Sequence, residues 1–246
     1  MITEVCIGSV PCAYESFLGG AQRVELCDNL VEGGTTPSQG AIIECKKIKG
    51  LKTMVMIRPR GGDFLYSDVE FEIMKEDVKA ARNLGADGVV FGILTKDGSM
   101  DIKRLKQLID LAGEMEVTNH RAFDMCNDPF LALEQLIDLG VKRILTSGQH
   151  RNVWEGRFLI ADLVKKAAGR IIIMPGAGVK EDNIIDLMAI TNAPEYHVAL
   201  TKKIPSQMEY RNEKAFMGSD AQPEFEHLRI DSERIRTFVN LVNQHQ

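Results

Sequence analysis

The chain has 246 residues, enough for one large α/β domain, and 44% of them are hydrophobic, so a sizeable core is within reach. Its net charge is −5, acids and bases are intermixed, and no Lys/Arg-rich block occurs, which argues against a nucleic-acid partner. No apolar run approaches the ~20 residues of a membrane span, and no basic segment leads into an apolar run at the start, so neither a membrane anchor nor a secretory signal is expected.

The elements alternate from the beginning. Strand one is read at Thr3–Ile7. A junction, Gly20-Ala21-Gln22-Arg23-Val24, then opens strand two, and it recurs as Gly85-Ala86-Asp87-Gly88-Val89 and Gly140-Val141-Lys142-Arg143-Ile144. Asn192-Ala193-Pro194-Glu195-Tyr196 is a looser fourth copy. In each, a helical pattern ends at Gly or Asn, residues that accept the left-handed helix-terminating conformation, and a strand-like run follows. Each interval has room for two βα units, so the junctions mark strands two, four, six and eight. Strand three is read at Thr53–Arg58, five at Val117–Ala122 and seven at Ile171–Met174. Helical periodicity fills Asp68–Leu84 and Asp128–Leu139, the latter with Asp128 as N-cap and Pro129 in the first turn. Eight such units without a linker predict a single (β/α)8 TIM-barrel domain over residues 1–246; an open doubly wound sheet is the alternative.

Alternation along the strands sets the interior. Val5, Ile7, Val24, Leu26, Val55, Ile57, Tyr196 and Val198 suit the helix-facing side. Glu4, Cys6, Glu25, Cys27, Arg58, Arg60, His120 and His197 then point inward, with Met54 and Met56. Barrel interiors are usually filled by aliphatic side chains, and the chemistry of this fold sits at the C-terminal strand tips. A charged mouth is therefore expected. A salt bridge such as Glu25–Arg58 that only fixes register is the competing explanation for the acidic residues.

The loops after the strands point to an anion. Arg58-Pro59-Arg60-Gly61-Gly62-Asp63-Phe64 sets two guanidinium groups beside glycines, and arginine grips carboxylate or phosphate at two points. Ser147-Gly148 follows strand six, and Gly176-Ala177-Gly178 follows strand seven and leads into a helix, where backbone N–H groups attract anions. Arg58, Arg60, Ser147, Gly148, Gly176 and Gly178 are thus the candidate anion-binding set. Glu25 and His120 are the candidate acid–base pair, with Asp124 or Asp63 as orienting carboxylates. His150, His227 and His245 lack such company and read as surface residues.

Five cysteines occur, and neither their odd number nor their spacing suggests a disulfide framework or a zinc site; free thiols in a reducing cytoplasm are expected. Cys6 and Cys27 are read at matching places on adjacent strands, where two inward thiols suit a soft metal such as Cu(I). Two inert buried cysteines are the alternative. Cys12, Cys45 and Cys126 fall on helices or loops without such a partner.

Several long segments resemble the CutC family, historically called copper homeostasis proteins. They are Arg23 to Cys27, Glu32 to Ser38, Arg58 to Phe64 with Tyr66-Ser67-Asp68, His120 to Met125, Leu145 to Gly148, and Pro175 to Val179. The resemblance spans Glu4 to Asn212. It implies a cytoplasmic TIM barrel, a homodimer or larger homo-oligomer, and copper ligands at Cys6 and Cys27. The sequence departs from the family pattern at Asn119, where an aromatic is expected before the histidine, and at Val198-Ala199-Leu200, where small hydroxyl residues are usual. Three functions follow as expectations: a Cu(I)-binding homeostasis protein, an enzyme for a small anionic (phosphorylated) metabolite, or a non-catalytic ligand-binding barrel. No organic cofactor is indicated.

Overall fold

A computed structural model describes residues 1–212, 214–215 and 224–245. Eight strands run parallel: β1 (Ile2–Ile7), β2 (Arg23–Leu26), β3 (Lys52–Met56), β4 (Gly88–Phe91), β5 (Glu116–Asn119), β6 (Arg143–Thr146), β7 (Ile172–Pro175) and β8 (Glu195–Val198). Their order is β7-β6-β5-β4-β3-β2-β1-β8. Since β8 and β7 lie side by side at the two ends of that order, the sheet wraps into a nearly closed barrel. The TIM-barrel expectation holds, and the open doubly wound sheet does not.

Helices α1 (Val10–Leu18), α2 (Gln39–Cys45), α3 (Asp68–Asn83), α4 (Ile102–Ala112), α5 (Pro129–Asp138), α6 (Val153–Ala167), α7 (Ile184–Thr191) and α8 (Ser232–Gln244) surround it. Local chemistry sets their starts. Asp128 accepts from the Phe130 and Leu131 amides at 3.0 Å each, as its N-cap position predicts. Ser67 and Glu70 form a capping box at α3. Strand five ends earlier than expected. His120 accepts the Ala122 amide and turns the chain into a 3-10 helix over Arg121–Met125. Between β8 and α8 an antiparallel hairpin appears that the sequence did not suggest, β9 (Thr201–Pro205) with β10 (Glu226–Ile230).

The outward strand residues Val5, Val24, Val55, Val89, Ile144 and Ile173 pack against the helices in the main core. Inside the barrel Cys27, Met54, Met56 and Val90 form a small apolar cluster. Buried charged and polar side chains lie beneath it, Glu4, Arg23, Thr118, Arg143 and Glu195 among them. Alternate barrel strands contribute side chains to shared layers, and the recurring junctions place Arg23, Gly88, Arg143 and Glu195 at equivalent positions on the even strands. At Gly88 the space is taken by Met54, whose Cε would lie 2.1 Å from an added Cβ.

One register expectation is corrected. Cys6 pairs across the ladder with Glu25, not with Cys27. The stagger of a barrel offsets neighbouring strands, so Cys27 sits two residues further toward the mouth, its amide bonded to the Ile7 carbonyl at 2.9 Å.

Candidate functional site

The bottom of the interior is an ion network. Arg23 bonds to Glu4 and Glu195 and reaches Met174 Sδ at 3.4 Å. Arg143 reaches Glu195 at 3.0 Å, Thr118 Oγ1 at 3.1 Å, and Glu116. Both arginines are about as buried as a side chain can be, each 1% exposed. Charges at that depth persist only when paired, and each of these arginines has two carboxylate partners.

Glu4 carries the network upward. Its Oε1 lies 2.8 Å from His197 Nδ1, and His197 Nε2 lies 3.8 Å from Glu25 Oε2. Above them, one sulfur from Cys6, one from Cys27 and one Glu25 oxygen all lie within 4.8 Å of one another. A second cluster of Glu4, Glu25 and His197 meets the same limit.

The neighbours set the protonation. Burial would raise the Glu4 carboxyl, but the Arg23 guanidinium and His197 hold it down at about 2. A hydrogen bond from Cys27 pulls the Cys6 thiol well below its usual value against burial, and His197 assists. The same contact pushes Cys27 up, together with burial. Burial, with the negative charges of Cys6 and Glu4, lifts Glu25 well above the usual carboxylate range despite His197. Burial works against a charged His197, yet Glu25, Cys6 and Glu4 raise it well above its ordinary value. The set favours a Cys6 thiolate beside a protonated His197, with Cys27 and Glu25 keeping their protons. Glu25 Oε1 is buried without a hydrogen-bond partner among the described residues.

Cys6, Glu25 and His197 open into a cavity of about 470 Å3, which Cys27 does not line. Cys6, Glu25, Arg58, His120, Asp124, Gly178 and His197 line it; Arg60, Ser147, Gly148 and Gly176 do not. Arg60 turns outward, bonded to Glu70 at 2.6 Å and Asp63 at 3.0 Å and stacked over Tyr66. It does not point into the barrel as the alternation suggested, because β3 ends at Met56 and Pro59 stands between the strand and Arg60. Nor does Asp63 orient the interior groups. Arg58 is inward, but it bonds to the backbone carbonyls of Glu32, Gly34 and Gly62 at 2.8 Å each. It pins two loops, and the expected Glu25–Arg58 pair is absent among the described residues.

Asp124 does not meet His120. It accepts from Arg121 Nε at 2.7 Å and from the Ser147 and Gln149 amides, fixing the loop after β6. Gly148 and Gly156 serve backbone packing, since a Cβ on Gly148 would lie 2.3 Å from the Gly156 carbonyl oxygen. Gly176 is similarly closed by Leu145. Burial and the neighbouring Arg58 hold His120 down at about 3, so its ring is neutral.

Strand alternation turns His197 inward without assigning it a role, yet it stands at the centre of the site, above Arg23, Arg143 and Glu195, to which the sequence pattern assigns none either. A signal existed: the charges recur at one place in the repeated junctions.

The CutC family model matches residues 1–202. A family protein CutC of Parabacteroides distasonis is 50% identical over 97% of this chain and 99% of its own length. The human copper homeostasis protein cutC homolog is 44% identical over 96% of this chain and 87% of its own. The crystal structure of CutC from Streptococcus agalactiae superposes with a TM-score of 0.77 at 37% identity, covering 80% of this chain and 97% of that one. A barrel with this sequence pattern and these relatives has one assignment: the chain belongs to the CutC family.

Proposed function

We propose that this protein binds Cu(I) at the barrel mouth through the sulfurs of Cys6 and Cys27. The observation that carries the reading is the approach of both sulfurs and a Glu25 oxygen to within 4.8 Å of one another. Thiolates are soft donors suited to Cu(I). One of the two is already favoured as thiolate, and His197 stands beside it as a further nitrogen donor once deprotonated. Five free cysteines suit a reducing, cytoplasmic setting. The test is a chelator competition. Cys6→Ser with Cys27→Ser should lower Cu(I) affinity by orders of magnitude, and unchanged affinity would discard the reading.

The cavity supports a second reading, a small anionic (phosphorylated) metabolite as substrate or ligand, because its volume far exceeds that of an ion. Self-association is proposed as well. Phe130 and Leu131 on α5 and Trp154 and Phe158 on the adjoining α6 are exposed, and a second copy would cover them; sedimentation of the purified chain decides this.

A further inference from the structure

The cavity walls differ in chemistry. Cys6, Glu25 and His197 form the side made by β1, β2 and β8. Across the barrel, at the end of β5, stand His120 and Arg121.

His120 is fixed on three sides. Its Nδ1 accepts the Ala122 amide at 3.2 Å. Its Nδ1–Cε1 edge abuts Gly92, where even a Cβ would come within 2.8 Å of Nδ1. Its ring packs on Phe64 with centroids 4.9 Å apart. The remaining edge, Cδ2–Nε2, is free of these contacts, and His120 is one of the residues lining the cavity. In a neutral imidazole whose Nδ1 accepts, the proton sits on Nε2. Nε2 is buried and has no hydrogen-bond partner among the described residues, a state that folded proteins seldom leave unanswered.

Arg121 is also held. Its Nε bonds to Asp124 at 2.7 Å and its Nη2 to Ser147 Oγ at 2.8 Å. Asp124 in turn is clamped by the amides of Ser147 and Gln149. Among the described residues nothing accepts from Arg121 Nη1. The wall therefore offers two positioned donors, one cationic and one neutral.

We propose that this wall recognises a small organic oxyanion, a carboxylate or a phosphate monoester. Arg121 Nη1 takes the anionic group, His120 Nε2–H donates to a ligand oxygen, and the apolar part lies against Met56, Phe64 and Leu145. The inference rests on the small-anion reading above and moves recognition from Arg58 and Arg60 to these two residues. His120 is then a hydrogen-bond donor to the ligand, not a base. The Asp124 carboxylate on the same wall is already engaged by Arg121, Thr146 and the Ser147 and Gln149 amides, so the wall favours acceptor-rich ligands over alcohols and amines of the same size, because an unmatched buried donor costs binding.

Calorimetric titration of the full chain with phenyl phosphate, benzoate and benzyl alcohol tests this. Saturable binding of at least one of the two anions, without binding of the alcohol, is expected, and the two anions separate phosphate from carboxylate preference. His120→Phe and Arg121→Met should each weaken binding about tenfold or more, the scale of a lost charge-assisted bond. His120→Gln, whose amide nitrogen reaches the Nε2 position, should retain most of the affinity and stands in if His120→Phe fails to fold. Anion binding that ignores the substitutions at His120 and Arg121 overturns this inference and leaves the small-anion reading standing. No saturable binding of either anion removes both.

Discussion

His197 Nδ1 lies 2.8 Å from Glu4 Oε1, and this contact joins the mouth to the ion network at the bottom of the barrel. Glu4 is wholly buried and answers Arg23 on its other oxygen. Removing one partner of a buried pair strands the other charge, at a typical cost of ~3–5 kcal/mol. Glu4→Gln should therefore destabilise the fold by about that amount in chemical denaturation. It should also lower the titration point of His197, read by NMR of the imidazole. A small stability loss with His197 unmoved would show that Glu4 is not its support.

His120 makes a pH prediction of opposite origin. Its folded value is pushed down to about 3, first by burial and then by Arg58, from an ordinary value of 6.5. Between those two values the unfolded chain binds a proton that the folded chain refuses. Stability from this group is thus full above about 6.5 and is lost as pH falls toward 3, by about 1.4 kcal/mol per pH unit. Glu4, held at about 2 against an ordinary 4.5, adds a second loss that begins only below 4.5. Denaturation of the wild type and His120→Phe at pH 5, 6 and 7 isolates the first term. The wild type should lose more stability than the variant between pH 6 and 5; parallel curves would refute the assignment.

Much of this was legible. Strand alternation correctly turned Glu4, Cys6, Glu25, Cys27, Arg58 and His197 inward, because side-chain direction in a strand depends only on parity. Three things were not. The stagger between β1 and β2 is a property of barrel closure, so Cys6 fell opposite Glu25 and not Cys27. Arg60 lies past Pro59, where parity no longer applies. Asp124 and His120 share one short turn, but the 3-10 geometry aims the carboxylate at β6 and the ring at Gly92 and Phe64.

The two arginines of the β3 loop should separate in experiment. Arg58 is 5% exposed and bonded to three backbone carbonyls that accept from no other side chain among the described residues. Arg58→Met should cost several kcal/mol by unpinning both loops, on the scale of about 1–3 kcal/mol per orphaned acceptor. Arg60 is a surface group in a network with Asp63 and Glu70, for which about 0–1 kcal/mol is usual. Arg60→Ala should leave Cu(I) and anion binding unchanged. Loss of anion binding in Arg60→Ala with an intact fold would contradict its placement outside the cavity.

Gly148 tests whether the loop after β6 is a packed support for the site. Its φ of +70° is left-handed, and an added Cβ would meet the Gly156 carbonyl oxygen at 2.3 Å. Neither backbone can yield without shifting α6 or the Ser147–Gln149 amides that hold Asp124. Overpacking of this kind costs ~1–3 kcal/mol, and left-handed strain adds about 1–2 kcal/mol. Gly148→Ala should thus lower stability by several kcal/mol and loosen Arg121 through Asp124. Gly140→Ala is the control, since Gly140 has left-handed φ but open space around its Cβ position. It should carry the strain alone. Equal losses at the two glycines would mean that the contact with Gly156 contributes nothing.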